Sequence, residues 1–116
     1  MIGLVVVVVA TALLAVVTGL VSPHVVRPGV VSVGSTSACA VESGGTVACW
    51  GANDQGQLGD GTLVASTTPV AVRGLRGAST VSVSLFAQFA CATTQRGTVT
   101  CWGNGRRGQL GTGSVR

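Results

Sequence analysis

Hydrophobic and polar positions divide the chain into an unbroken apolar head and a body of short alternating stretches. From Ile2 to Val21 the sequence reads IGLVVVVVATALLAVVTGLV, an uncharged run of 20 residues. At about 1.5 Å rise per residue a helix of that length crosses a bilayer core of about 30 Å. Val5 to Val9 favours a strand on propensity alone, but soluble strands rarely exceed about 10 residues. The pattern predicts one hydrophobic N-terminal helix within 1–22, acting as a signal peptide or a transmembrane anchor that meets the membrane through residues 2–21. Both readings stay open. No basic residue precedes the run and it is longer than a usual signal core, yet Val17-Thr18-Gly19 offers a small-residue cleavage site. Arg27 on its far side, read by the positive-inside rule, points the rest of the chain to the cytoplasm, and a basic segment lost upstream would reverse that.

Beyond residue 22, brief Val/Ala stretches alternate with Ser and Thr and are cut by glycine, the pattern of short strands joined by tight turns. The body repeats. Laying residues 39 to 62 on 91 to 114, without a gap, gives thirteen identities in 24 positions, among them both cysteines and the string Trp-Gly that follows the second. Upstream, Pro23 to Arg27 matches Pro69 to Arg73 and Val31-Ser-Val33 matches Val81-Ser-Val83. Two copies, 23–62 and 69–114, are expected, at a period in the propeller range. Four strands are predicted in each: about 24–27, 30–33, 38–42 and 46–50, then 69–73, 80–84, 89–94 and 98–102.

Gly45 and Gly97 sit midway between paired cysteines and suit the left-handed position of a hairpin turn. Cys39 then lies across from Cys49, and Cys91 from Cys101, on adjacent strands, close enough for bridging. In an exported chain two disulfides are expected; in a reducing compartment the four act as small buried apolar residues. Zinc is not expected, because the ten-residue spacing lacks the two-to-four-residue ligand pairs of zinc clusters and His24 is the only histidine.

Composition narrows the function. Only 9% of residues are charged and 3% aromatic, so the chain is neither disordered nor built on an ordinary Leu/Phe core. The net charge of +4 is the balance of seven scattered arginines against three acidic residues, with no basic stripe interleaved with aromatics, so nucleic acid is not an expected partner. Glu42, Asp54 and Asp60 fall at turns, and no second histidine supports a nucleophile, so no catalytic set, cofactor or small-molecule substrate is expected. Gly103-Asn-Gly-Arg-Arg-Gly108 matches a dinucleotide fingerprint in letters only, since no helix can begin in the Gln-Leu-Gly-Thr-Gly-Ser that follows.

The strings running from Cys49-Trp50-Gly51 through Gly56-Gln57-Leu58-Gly59 to Gly61-Thr62, and from Cys101-Trp102-Gly103 through Gly108-Gln109-Leu110-Gly111 to Gly113-Ser114, closely resemble the repeat of the regulator of chromosome condensation family. The likeness is greatest to exported bacterial members with a cysteine in each of two strands. It implies an all-β fold, two four-stranded blades of a β-propeller, with those Trp, Gly, Gln and Leu residues as its structural motif. It further implies a non-enzymatic protein-binding module, tethered to or secreted across a membrane of a bacterial cell envelope, whose partner is another protein or further repeats. Two blades leave open edges, so a truncated fragment of a longer propeller, without independent function, is the other expectation. Ser37 replaces the usual histidine of the pattern two positions before Cys39, and Gly105 stands where the first copy has Asn53.

Overall fold

The computed structural model describes residues 26–114, so the expected N-terminal helix and His24 lie outside the described residues. Seven strands are present among the described residues: β1 Val26–Val33, β2 Ser37–Glu42, β3 Val47–Gly51, β4 Ser66–Ala71, β5 Ala78–Val83, β6 Phe89–Thr94 and β7 Val99–Gly103. They form two antiparallel meanders, a four-stranded sheet in the order β1-β2-β3-β4 and a three-stranded sheet in the order β5-β6-β7. Among the described residues no helix is long and apolar enough to cross a membrane.

The hairpins follow the repeat closely. Both turns close by the same bonds: Gly45 N–H donates to Glu42 O at 3.0 Å, and Gly97 N–H to Thr94 O at 3.0 Å. Cys39 faces Cys49 and Cys91 faces Cys101 in register, with Cα atoms 4.0 Å apart, and both pairs are joined as disulfides. The described residues contain no free cysteine.

The grouping of strands departs from four per copy. The segment expected at 69–73 to open the second copy is β4, which pairs with β3 and completes the first sheet. The second copy thus lends its first strand to the sheet of the first copy, and the second sheet has three described strands. β4 is an edge strand, which is why it tolerates Pro69 without losing a ladder bond. The described part of the segment expected at 24–27, residues 26 and 27, runs on into the one expected at 30–33 as a single strand, β1, whose register shifts between Val26 and Val31 around Pro28-Gly29.

The two sheets stack on a shared core of small side chains. Val41, Val47 and the Cys39–Cys49 disulfide project from the first sheet; Ala78, Val81, Val83, Ala90 and Ala92 project from the second; Leu58, Val72 and Leu75 fill the space between. Ser32 Oγ reaches across to accept Val83 N–H at 2.8 Å, and Gly45 O accepts Ala78 N–H at 2.9 Å.

Candidate functional site

The feature that the repeat builds is the junction between successive blades. The loop after β3 folds back so that Leu58 and Gln57 are almost completely buried. Its clamp is Asn53, itself buried: Oδ1 accepts Leu58 N–H at 2.9 Å, while Nδ2 donates to Thr62 O at 2.9 Å and Val64 O at 3.0 Å. Gln57 Oε1 accepts Gln55 N–H at 2.8 Å, and Gly56 N–H donates to Asn53 O at 3.1 Å. Gly61 closes the loop beneath the guanidinium of Arg73.

This loop is a socket for the next blade's tryptophan. Trp102 Nε1–H donates to Gln57 O at 2.9 Å. The indole lies so close over Gly59 that an added Cβ would stand 2.8 Å from Trp102 Cδ1 and 2.9 Å from Nε1. Gly59 is also left-handed, at φ +69°, so both the space and the backbone exclude a side chain there. Gly51 and Gly103 meet the same limit at the strand ends, where a Cβ would collide with Thr36 O and Gln88 O respectively.

The second loop repeats the geometry without its occupant. Gly111 has the same φ of +69°, Arg107 N–H donates to Gln109 Oε1 at 2.8 Å, and Gly108 N–H donates to Gly105 O at 2.9 Å. Nothing lies within 4 Å of a Cβ on Gly111 or Gly113. Leu110 and Gln109 are half-buried where Leu58 and Gln57 are buried, and Gly105 leaves a hollow of about 330 Å³ beside Leu110. On the outer face of the second sheet Val99 is 65% exposed, whereas its counterpart Val47 is completely covered. Cys91 and Cys101 are half-buried on that face, whereas Cys39 and Cys49 are completely buried. Trp50 is half-buried at the other end of the stack.

The acidic groups serve the first loop. Asp54 is held below the usual carboxylate range chiefly by the hydrogen bond from Gln57, and Asp60 chiefly by that from the Thr62 hydroxyl at 2.8 Å. Glu42 accepts from Thr46 Oγ1 at 2.8 Å beside the first hairpin. Among the described residues no three His, Cys, Asp or Glu side chains stand together to hold a metal ion.

Sequence reading singled out Trp50, Trp102 and the Gly-Gln-Leu-Gly strings as structural without showing what they touch. The tryptophan–carbonyl contact spans 45 residues and carries no local signal. Asn53 is visible only as the asparagine that the second copy replaces by glycine.

Two stacked antiparallel blades joined through a tryptophan and a glycine-rich socket define a β-propeller repeat protein. The chain belongs to the regulator of chromosome condensation (RCC1) repeat family, whose sequence profiles match residues 44–93 and, as separate copies, 30–57 and 81–109. It is similar to the human E3 ubiquitin-protein ligase HERC2, at 35% identity over 92 residues, which is 78% of this chain and 2% of that protein. It is similar also to the ultraviolet-B receptor UVR8 of Arabidopsis thaliana, at 34% identity over 90 residues, 78% of this chain and 20% of the relative. Among solved structures, Prp20p of Saccharomyces cerevisiae, described together with its binding to Gsp1p and histones, superposes with a TM-score of 0.68 at 22% identity. That match covers 83% of this chain and 22% of Prp20p. The chain therefore spans a fifth or less of the curated relatives it matches.

Proposed function

We propose that this chain is a non-enzymatic protein-binding module, anchored in or exported across a membrane, that joins further repeats of its own kind through the outer face of its second blade. The exposed Val99, above the half-covered Cys91–Cys101 pair, carries the reading: its counterpart in the first blade is completely covered by a neighbouring blade. That internal junction is the template. A partner blade would set small residues against Val99 and Cys101 and lower a tryptophan into the socket of Gln109 and Gly111. Prp20p, described as binding Gsp1p and histones, supports a protein rather than a small molecule as the partner.

Export and anchoring rest on the apolar sequence of residues 2–21 and on the disulfides, which persist in oxidising compartments. The bacterial cell envelope is the corresponding site of action. A second reading, that this stretch works only within a longer propeller polypeptide, is favoured by the small share of each relative that it spans.

A photo-cross-linking residue at position 99 of the full chain, expressed in its native cells, tests the proposal. Adducts to a polypeptide bearing Trp-Gly repeats, absent when the probe sits at exposed Thr67 on β4, are the expected result. Equal labelling from positions 99 and 67, or none from 99, would overturn it.

A further inference from the structure

Among the described residues, Arg76 and Arg96 stand at one end of the blades and Arg106 and Arg107 at the other, while Arg73 lies over Gly61. β1 starts at Val26, opposite Glu42, beside the first hairpin. From there a chain of backbone bonds crosses the same end: Gly45 O accepts Ala78 N–H at 2.9 Å, and Gly77 O accepts Gln95 N–H at 3.0 Å. Against these bonds lies an open cleft of about 490 Å³, lined by Arg76, Gly77, Thr94, Gln95, Arg96 and Thr98. Arg76 and Arg96 are both exposed. The acidic side chain nearest this end in sequence, Glu42, is buried, accepts from Thr46 Oγ1, and is not among the residues that line the cleft. Arg106 and Arg107 belong to the opposite end, in the loop after β7, where Asn104 N–H meets Gln88 O at 3.0 Å.

Only residues 22–25 separate the uncharged run ending at Val21 from the start of β1. Five peptide links reach at most about 18 Å, so a run inserted in a bilayer keeps Val26, and the hairpin end beside it, within that distance of the headgroups. We infer that the Arg76–Arg96 cleft docks on the phosphate groups of anionic phospholipids, orienting the blade stack upright on the membrane to which residues 2–21 tether it. The inference rests on the membrane reading above. Guanidinium groups match phosphate oxygens in pairs, and a basic side chain at an anionic surface is worth a factor of roughly five in binding. The opposite end, with its loops at 34–36, 84–88 and 104–114, is thereby left free to face other proteins.

The full chain is reconstituted into vesicles of phosphatidylcholine alone or mixed with phosphatidylglycerol, floated on a density gradient, and digested briefly with trypsin, which cuts after arginine. Flotation reports the membrane reading by itself; a chain that sediments free of both vesicle types overturns that reading and the cleft's role with it. For a chain that floats, cleavage after Arg76 and Arg96 is expected to slow by about tenfold on the anionic vesicles relative to cleavage after Arg106 and Arg107. The difference should vanish at about 1 M salt, where the Debye length falls to about 3 Å. R96Q should return cleavage after Arg76 most of the way to its rate on neutral vesicles. Equal cleavage ratios on the two vesicle types would show that the run anchors the chain while the cleft binds no lipid. Salt-sensitive protection of Arg106 and Arg107 in place of Arg76 and Arg96 would overturn the orientation.

Discussion

Gly59 and Gly111 share a backbone conformation and differ only in what lies above them, which separates strain from contact. Replacing Gly111 by alanine should cost about 1 kcal/mol, the penalty of a left-handed non-glycine residue. Replacing Gly59 should cost about 1–2 kcal/mol more, because the new methyl group meets the Trp102 ring. Denaturant midpoints of the two variants measure the difference, and equal shifts would mean that the indole does not occupy the socket. The leucines make a parallel pair. Leu58→Ala opens a cavity in a completely buried position and should cost about 2–5 kcal/mol, while Leu110→Ala, half-buried, should cost less than about 1 kcal/mol. Asn53→Ala removes the acceptor of the buried Leu58 N–H and should cost about 1–3 kcal/mol.

At the scale of the elements, hairpins and loops answer to different chemistry. Each disulfide closes a ten-residue separation and stabilises by about 3 kcal/mol at best. Burial distinguishes them: Cys39 and Cys49 are completely covered and Cys91 and Cys101 are not. Under mild reductant, alkylation followed by mass measurement should label Cys91 and Cys101 first. The first loop adds a pH dependence. Asp60 is held as a carboxylate by Thr62 and Asn53, so its pKa in the folded chain lies below the unfolded value of about 3.9. The stabilisation is complete above that value and is lost as pH falls through the lowered pKa. Asp60→Asn should therefore flatten the fall in stability below about pH 4, as read from thermal midpoints across an acid series. The hairpins are legible in the sequence because glycine spacing and turn chemistry are local. The loop clamp is less so, since the bonds from Asn53 reach as far as Val64 and depend on a fold-back that no spacing reveals.

For the molecule as a whole, the repeat shows how many copies there are, while strand partners show how they assemble, and the two are offset. Pro69 to Arg73 matches the opening of the first copy, yet most of it falls in β4, which closes the first sheet because the free edge of β3 is the nearest unpaired ladder the chain reaches after its loop. Sequence identity marks that strand and cannot assign its partner. The same offset leaves β7 paired on one side only among the described residues, next to the empty socket of Gln109 and Gly111. An unpaired ladder and a half-covered face together make the second blade a receiving surface.

Backbone hydrogen exchange along β3 and β7 of the oxidised full chain tests that claim most directly. β3 is paired on both sides, with β2 and β4, whereas β7 has β6 alone. The outward amides of β7 should exchange about a hundredfold or more faster than those of β3 in the isolated chain, and should become protected in the assembly isolated from native membranes. Equal protection of β3 and β7 in the isolated chain, or no gain on assembly, would contradict a blade face built to receive another repeat.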